Sequence, residues 1–192
     1  MPLSAETALL SLIDEHLSAG RPLTLAIDGC CAAGKTTLAL RLQQRYGCPV
    51  FHADDYFLQP HQRTPQRLSQ AGGNMDRERL LQEVLLPLSR GEDVVFRRFD
   101  CSAMALRPTV RVPYAPFQIV EGTYCMHPEL APYYTASVFL RISPAEQRRR
   151  IERRCPPEKA QQFFIRWIPL EQLYFQQLHP EKNCTLILEA LP

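Results

Sequence analysis

The sequence predicts an α/β fold: a mostly parallel sheet of about five to six strands with helices on both faces. Three observations carry that prediction. Apolar runs of strand length alternate with segments of helical periodicity, the pattern of crossover helices laid over a parallel sheet. The run Leu23 to Ile27, closed by Asp28, leads directly into G-C-C-A-A-G-K-T at residues 29 to 36. That octet matches G-x-x-x-x-G-K-[ST], the phosphate-binding loop of the P-loop NTPase fold. Finally, 192 residues with 45% apolar and 22% charged composition suit one hydrophobic core, so a single domain is expected over 1–192.

The elements follow in order. Leu9, Leu10, Ile13 and Leu17 lie on one face of an N-terminal amphipathic helix. Acidic residues within that pattern and the lack of a basic leader exclude a signal peptide. After the first strand and its loop, a helix is expected from Lys35 to about Arg45. Further strands are expected at Pro49 to Ala53, Asp93 to Arg97, Phe117 to Glu121, Ser137 to Ile142 and Thr185 to Glu189. Between them lie helices at about Asp76 to Ser89, closed by Gly91, and at about Pro144 to Arg154, with Ser143 as N-cap. A longer helix covers about Glu158 to Gln177, kinked at Pro169. Two stretches, Gln59 to Asn74 and Asp100 to Ala115, read as irregular loops, of a length that suits a lid or a substrate wall.

A strand, a glycine-permissive turn and a helix N-terminus aim backbone N–H groups at one point, where an anion completes their hydrogen bonding. The candidate nucleotide-binding residues are therefore Gly29, Cys30, Cys31, Ala32, Ala33, Gly34, Lys35, Thr36 and Thr37. Lys35 reaches the β and γ phosphates and the Thr36 hydroxyl holds Mg²⁺. A glycine turn that merely packed a helix on a sheet would need neither side chain.

Net charge of +2 argues against a bulk field for nucleic acid or membrane, and no apolar stretch approaches membrane-spanning length. Seven cysteines without a C-x-x-C pair argue against a disulfide framework or zinc site. Free thiols imply a reducing, cytoplasmic location. Oligomeric state, including a homo-oligomer, is left open. Nineteen of the 22 basic residues are arginines, and several cluster in Q-R-R-R-I-E-R-R at Gln147 to Arg154. On a helix, Arg149 or Arg150 shares a face with Arg153 or Arg154. Arginines on a lid, about residues 145–160, would stabilise charge on a transferring phosphoryl group; a basic nucleic-acid patch is the rival reading.

Acids follow the strands. Asp54 and Asp55 end the second, so at least one carboxylate emerges near the phosphates, where a kinase needs a group to take the acceptor's proton. Glu121 ends the strand of I-V-E-G-T in a Walker-B-like position suited to Mg²⁺, or serves as a strand-terminal acid satisfied by a helix N-terminus. Asp76 is either an N-cap or a ligand residue on pattern alone.

Taken in order, G-C-C-A-A-G-K-T-T-L-A, H-A-D-D-Y-F, N-M-D, R-F-D, I-V-E-G-T-Y, R-R-I-E-R-R and H-P-E-K-N-C-T-L-I-L resemble the landmarks of uridine kinase-like P-loop kinases. That group is related to phosphoribulokinase and bacterial pantothenate kinase. The resemblance implies Asp54 as general base and Mg²⁺ neighbour, with Thr36 and Glu121 completing the metal site. It implies Asp76 as the carboxylate on the ribose hydroxyls, Arg150 and Arg153 as lid arginines, and Gln162 near the ribose. Pro180 and Lys182 match the segment where the adenine of ATP packs. The family's pyrimidine-reading tyrosine and histidine are here Phe99 and Met104, a departure that redirects acceptor choice. Cys30 and Cys31 replace small residues and suggest sensitivity to thiol reagents, and C-P-P-E-K after Arg154 shortens the lid. The expected function is ATP- and Mg²⁺-dependent phosphoryl transfer to a small hydroxyl acceptor, nucleosides first. A sugar- or pantothenate-like alcohol, or a regulatory ATPase, is the alternative.

Overall fold

The computed structural model describes residues 5–190; Met1 to Ser4, part of the N-terminal stretch read above, and residues 191–192 lie outside it. Five strands form one parallel sheet: β1 (Leu23–Gly29), β2 (Val50–His52), β5 (Phe117–Glu121), β6 (Ala136–Arg141) and β7 (Leu186–Glu189). Their order is β2-β5-β1-β6-β7, with every neighbouring pair parallel. Burial explains their composition, since β1 is buried at every position and a sheet covered on both faces needs near-continuous apolar strands.

Each face has its own core. Leu23, Leu25 and Ile27 of β1 pack with Leu9 and Ile13 of α1 (Ala5–Ser18) and with Ala39 and Leu42 of α2 (Lys35–Tyr46). Ala26, the alternate side of the same strand, packs with Leu80, Val84 and Leu88 of helix α3 (77–89) and with Tyr174 of helix α5 (157–178). The N-terminal amphipathic reading thus holds in the structure, with Leu9 and Ile13 wholly buried. Ser143 caps α4 (Pro144–Arg154) through its hydroxyl, which accepts from Glu146 N.

Proline shapes two of these helices. In α5 a wide π turn, Phe163–Trp167, precedes Pro169; in α3 another, Leu81–Leu85, precedes Pro87. A proline ring collides with the carbonyl four residues earlier, and a widened turn moves that carbonyl aside without breaking the helix.

The expected strand at Asp93 to Arg97 forms but leaves the parallel sheet. Its actual extent, β3 (Val94–Asp100), pairs antiparallel with β4 (Ala105–Val112) as a separate hairpin with an irregularity between Arg97 and Phe99. The irregular loop expected over Asp100 to Ala115 is therefore corrected to a turn and a strand. The β4 sequence A-L-R-P-T-V-R-V is mostly exposed. Pro108 is tolerated there because an edge strand needs no donor at every position.

The topology sets three strand ends side by side. β2, β5 and β1 are neighbours, and the register pairs Glu121 with Ile27 on one side and His52 on the other. The phosphate loop, Glu121 and the turn bearing Asp54 thus share the carboxyl edge of the sheet, where α/β folds bind ligands.

Candidate active site

The loop is built by backbone geometry. At Gly29, φ is 131°, and a Cβ there would lie 2.2 Å from Leu140 O. No other residue fits without moving β6. Ala32 and Gly34 both take positive φ, 60° and 99°, which turns successive N–H groups inward. Gly34 caps α2 without any side-chain hydrogen bond, so the first-turn amides stay available to an anion. Lys35 Nζ donates to Gly29 O and Cys30 O, each at 2.9 Å, and to Thr123 Oγ1 at 3.0 Å.

Thr36 Oγ1 donates to Glu121 Oε1 at 3.1 Å, and His52 Nδ1 contacts the same oxygen at 2.5 Å. That contact holds the His52 pKa above its ordinary value, against the opposing effect of burial. Asp54 sits on the 3-10 turn Ala53–Tyr56 that follows β2 and faces the same cavity, about 580 Å³ in volume, as Lys35, Thr36 and Glu121. Its carboxyl is open to the cavity, yet the surrounding wall desolvates it and raises its pKa; Lys35 acts in the other direction. Asp55 turns away to Arg98 at 3.3 Å and is not among the cavity's lining residues. The two adjacent acids are thereby separated.

Thr36, Glu121 and Asp54 offer only oxygen donors. Among the described residues no group of three or more His, Cys, Asp or Glu could cage a metal ion. One or two carboxylates and a hydroxyl beside a phosphate loop suit Mg²⁺, which takes its remaining ligands from phosphate and water.

The arginines of α4 differ in their surroundings. Arg149 is held by Glu146 at 2.6 Å and Arg148 by Glu152 at 3.2 Å. Arg150 and Arg153 line the cavity, joined by Arg154. Arg150 also contacts Glu146, at 2.7 Å, and Ala32 O, at 3.4 Å. Glu146 lies one residue before Q-R-R-R-I-E-R-R, and its pairs with Arg149 and Arg150 follow the i,i+3 and i,i+4 spacing of one helix.

Gln147 and Glu171 were also missed, and both are buried. Glu171 Oε2 accepts from Cys31 N at 2.8 Å, and its Oε1 accepts from Gln147 Nε2 at 2.7 Å. Helix α4, the phosphate loop and α5 thus meet at one carboxylate. Asp28 is a second junction: wholly buried, it accepts from Gly29 N, Met126 N and Tyr174 OH at 2.6, 2.9 and 2.8 Å. Burial pushes the Cys30 thiol up to about 11 and Cys31 to about 12. A raised pKa disfavours the nucleophilic thiolate, so burial works against the expected sensitivity to thiol reagents.

The residues that the resemblance assigned to the acceptor fall elsewhere. Asp76 is buried as the N-cap of α3, accepting from Arg79 N, so the capping alternative describes its contacts. Phe99 is buried in the hairpin beneath Arg63; Met104 is exposed at the hairpin turn with φ 52°; Gln162 is exposed on α5. None of the four lines the cavity. Lys182, on an exposed turn, lines neither this cavity nor the neighbouring one of about 610 Å³. The wall instead includes Phe57, Asn74, Tyr124, Phe163 and Trp167. Phe57 closes H-A-D-D-Y-F, Asn74 opens N-M-D and Tyr124 closes I-V-E-G-T-Y; no sequence signal joins Phe163 and Trp167 to them.

The chain is similar in structure to a possible uridine kinase from Bacillus stearothermophilus, with 22% identity, coverage of 94% of this chain and 99% of that one, and a TM-score of 0.67. It is likewise similar to a candidate fructose transport system kinase from Silicibacter sp. TM1040, with 20% identity, full coverage of both chains and a TM-score of 0.66. No family model and no curated protein matches the sequence. These likenesses establish the P-loop NTPase fold. Among the described residues no helix is long and apolar enough to cross a membrane.

Proposed function

We propose that this protein transfers the terminal phosphoryl group of ATP to a hydroxyl of a small alcohol. The observation that carries this reading is the single cavity in which Asp54, Lys35, Thr36, Glu121, Arg150 and Arg153 converge. The loop amides and Lys35 bind the phosphates. Asp54 accepts the acceptor's hydroxyl proton as the oxygen bonds to the γ phosphorus and ADP leaves; its desolvation strengthens it as a base. Arg150 and Arg153 balance charge on the phosphoryl oxygens and, with the lid helix, exclude water. Thr36, Glu121 and Asp54 would hold Mg²⁺, which would supply charge neutralisation to the phosphates when bound.

A nucleoside heads the acceptor candidates on the sequence resemblance, and a sugar follows. The test is ADP formation from ATP against nucleosides, sugars and vitamin-like alcohols. Expected is release that depends on one acceptor class and ceases with EDTA. Equal ATP hydrolysis with and without every acceptor would overturn the kinase reading in favour of a regulatory ATPase.

A further inference from the structure

Beside the phosphate-binding residues, the cavity presents an aromatic wall. Phe57 directly follows the turn bearing Asp54, and its bridge to Met75 and the bond from Leu58 N to Asn74 O place Asn74 next to it. The Trp167 ring, from the π turn of α5, stands 6.0 Å from the Phe57 ring at an angle of 50°. Tyr124 completes the wall with φ at 78°. A bulky residue in left-handed backbone is strained, and such strain persists where the surroundings impose it, often at ligand clamps. Here Asp28 accepts from Tyr124 N at 3.3 Å, and the Tyr174 ring packs edge-on at 5.0 Å.

Asn74 is only 7% exposed, and its Nδ2 makes no hydrogen bond of ordinary geometry, its amide being held only by a loose interaction with the Tyr124 hydroxyl. Buried donors are ordinarily satisfied, so an amide this weakly held, on a residue that lines the cavity, is suited to turn toward a ligand oxygen. Aromatic walls recognise the face of a ring, by stacking or by C–H contact, and give an open-chain polyol little surface to bury.

We propose that Phe57, Asn74, Tyr124 and Trp167 form the acceptor site, and that the acceptor is a ring-shaped alcohol with an oxygen for Asn74. This rests on the kinase reading for its acceptor hydroxyl at Asp54. It moves acceptor choice away from the hairpin residues Phe99 and Met104 and onto α5 and the segment after β2.

Trp167 is the only tryptophan in the chain, so its emission reports ring binding without any turnover. With Mg·ADP bound, uridine or D-fructose is expected to change that emission, and glycerol and pantothenate are not. In transfer assays Trp167→Ala and Asn74→Ala should raise the KM of the ring acceptor about tenfold, leaving the KM for ATP within about twofold. Trp167→Phe, which keeps a flat face, should recover most of that loss, and Met104→Ala should change neither KM. Equal responses to ring and open-chain alcohols, no response to either ring compound, or a Met104→Ala effect as large as that of Trp167→Ala overturns the assignment. An emission change without transfer in any assay would sink the kinase reading alone; transfer without ring preference would sink only this inference.

Discussion

The phosphate loop end of the cavity and its proposed acceptor wall use very different lengths of chain. The first is one unbroken stretch, residues 29–37, together with acids at the ends of two adjacent strands. The second gathers Phe57, Asn74, Tyr124 and Trp167 from four separate segments. Phosphate is bound by backbone amides whose direction local glycine conformations decide, so its recognition is written in consecutive residues. A ring is bound by side-chain faces, whose positions depend on which helix meets which strand.

The sharpest test of the phosphate end is Lys35→Ala. Its ammonium already bridges Gly29 O, Cys30 O and Thr123 Oγ1, and its loss should lower kcat/KM about 10²–10³-fold or more with every acceptor. Circular dichroism should report an unchanged fold. Wild-type turnover would mean the loop is not the working nucleotide site.

Asp54→Asn probes the junction of the two ends. A fall in kcat of about 10²–10³-fold is expected, with the KM for ATP nearly unchanged. If the KM for ATP rises instead while kcat holds, Asp54 serves the phosphates and not the acceptor.

A smaller effect tests whether the ends communicate. In Glu171→Gln an amide faces one of the two donors, Cys31 N or Gln147 Nε2, now served by carboxylate oxygens. The Kd for Mg·ADP, measured by calorimetry, should weaken about tenfold, alongside a fall of a few degrees in melting temperature. A lower melting temperature at constant affinity would make Glu171 part of the packing alone.

The smallest effect is expected from Asp55→Asn. Asp55 faces the half-exposed Arg98 outside the cavity, and such pairs contribute about 0–1 kcal/mol. Turnover should stay within about threefold of wild type. A larger loss here than at Asp54 would reverse the assignment of the two carboxylates.

Legibility in the sequence followed the same division. β1, α2, β5, β6 and the Ser143 cap were readable because a buried strand is apolar throughout and a cap needs one hydroxyl at one position. β4 was not: A-L-R-P-T-V-R-V carries a proline and little alternation, since both its faces are largely exposed and burial wrote no pattern into it. Residue pattern alone left Asp54 as one of two acids and the resemblance singled it out; the contact of Asp55 with Arg98 is the physical separation that the fold adds. Asp76 shows the converse, for an acid before a helix satisfies the pattern of a cap and of a ligand residue equally, and its bond from Arg79 N is decided by the folded turn.

By itself, then, the sequence determined the α/β class, the phosphate loop with Lys35 and Thr36, and the acids after the strands. All depend on interactions within a few residues of one another or on burial common to an entire strand. The tertiary structure alone decided that β3 leaves the sheet and that Glu171 reaches Cys31 and Gln147. It also decided that Trp167 stands beside Phe57. These pairings are set by where helices cross the sheet and where Pro169 forces a wider turn, and a linear pattern does not record distances between segments that meet only after folding.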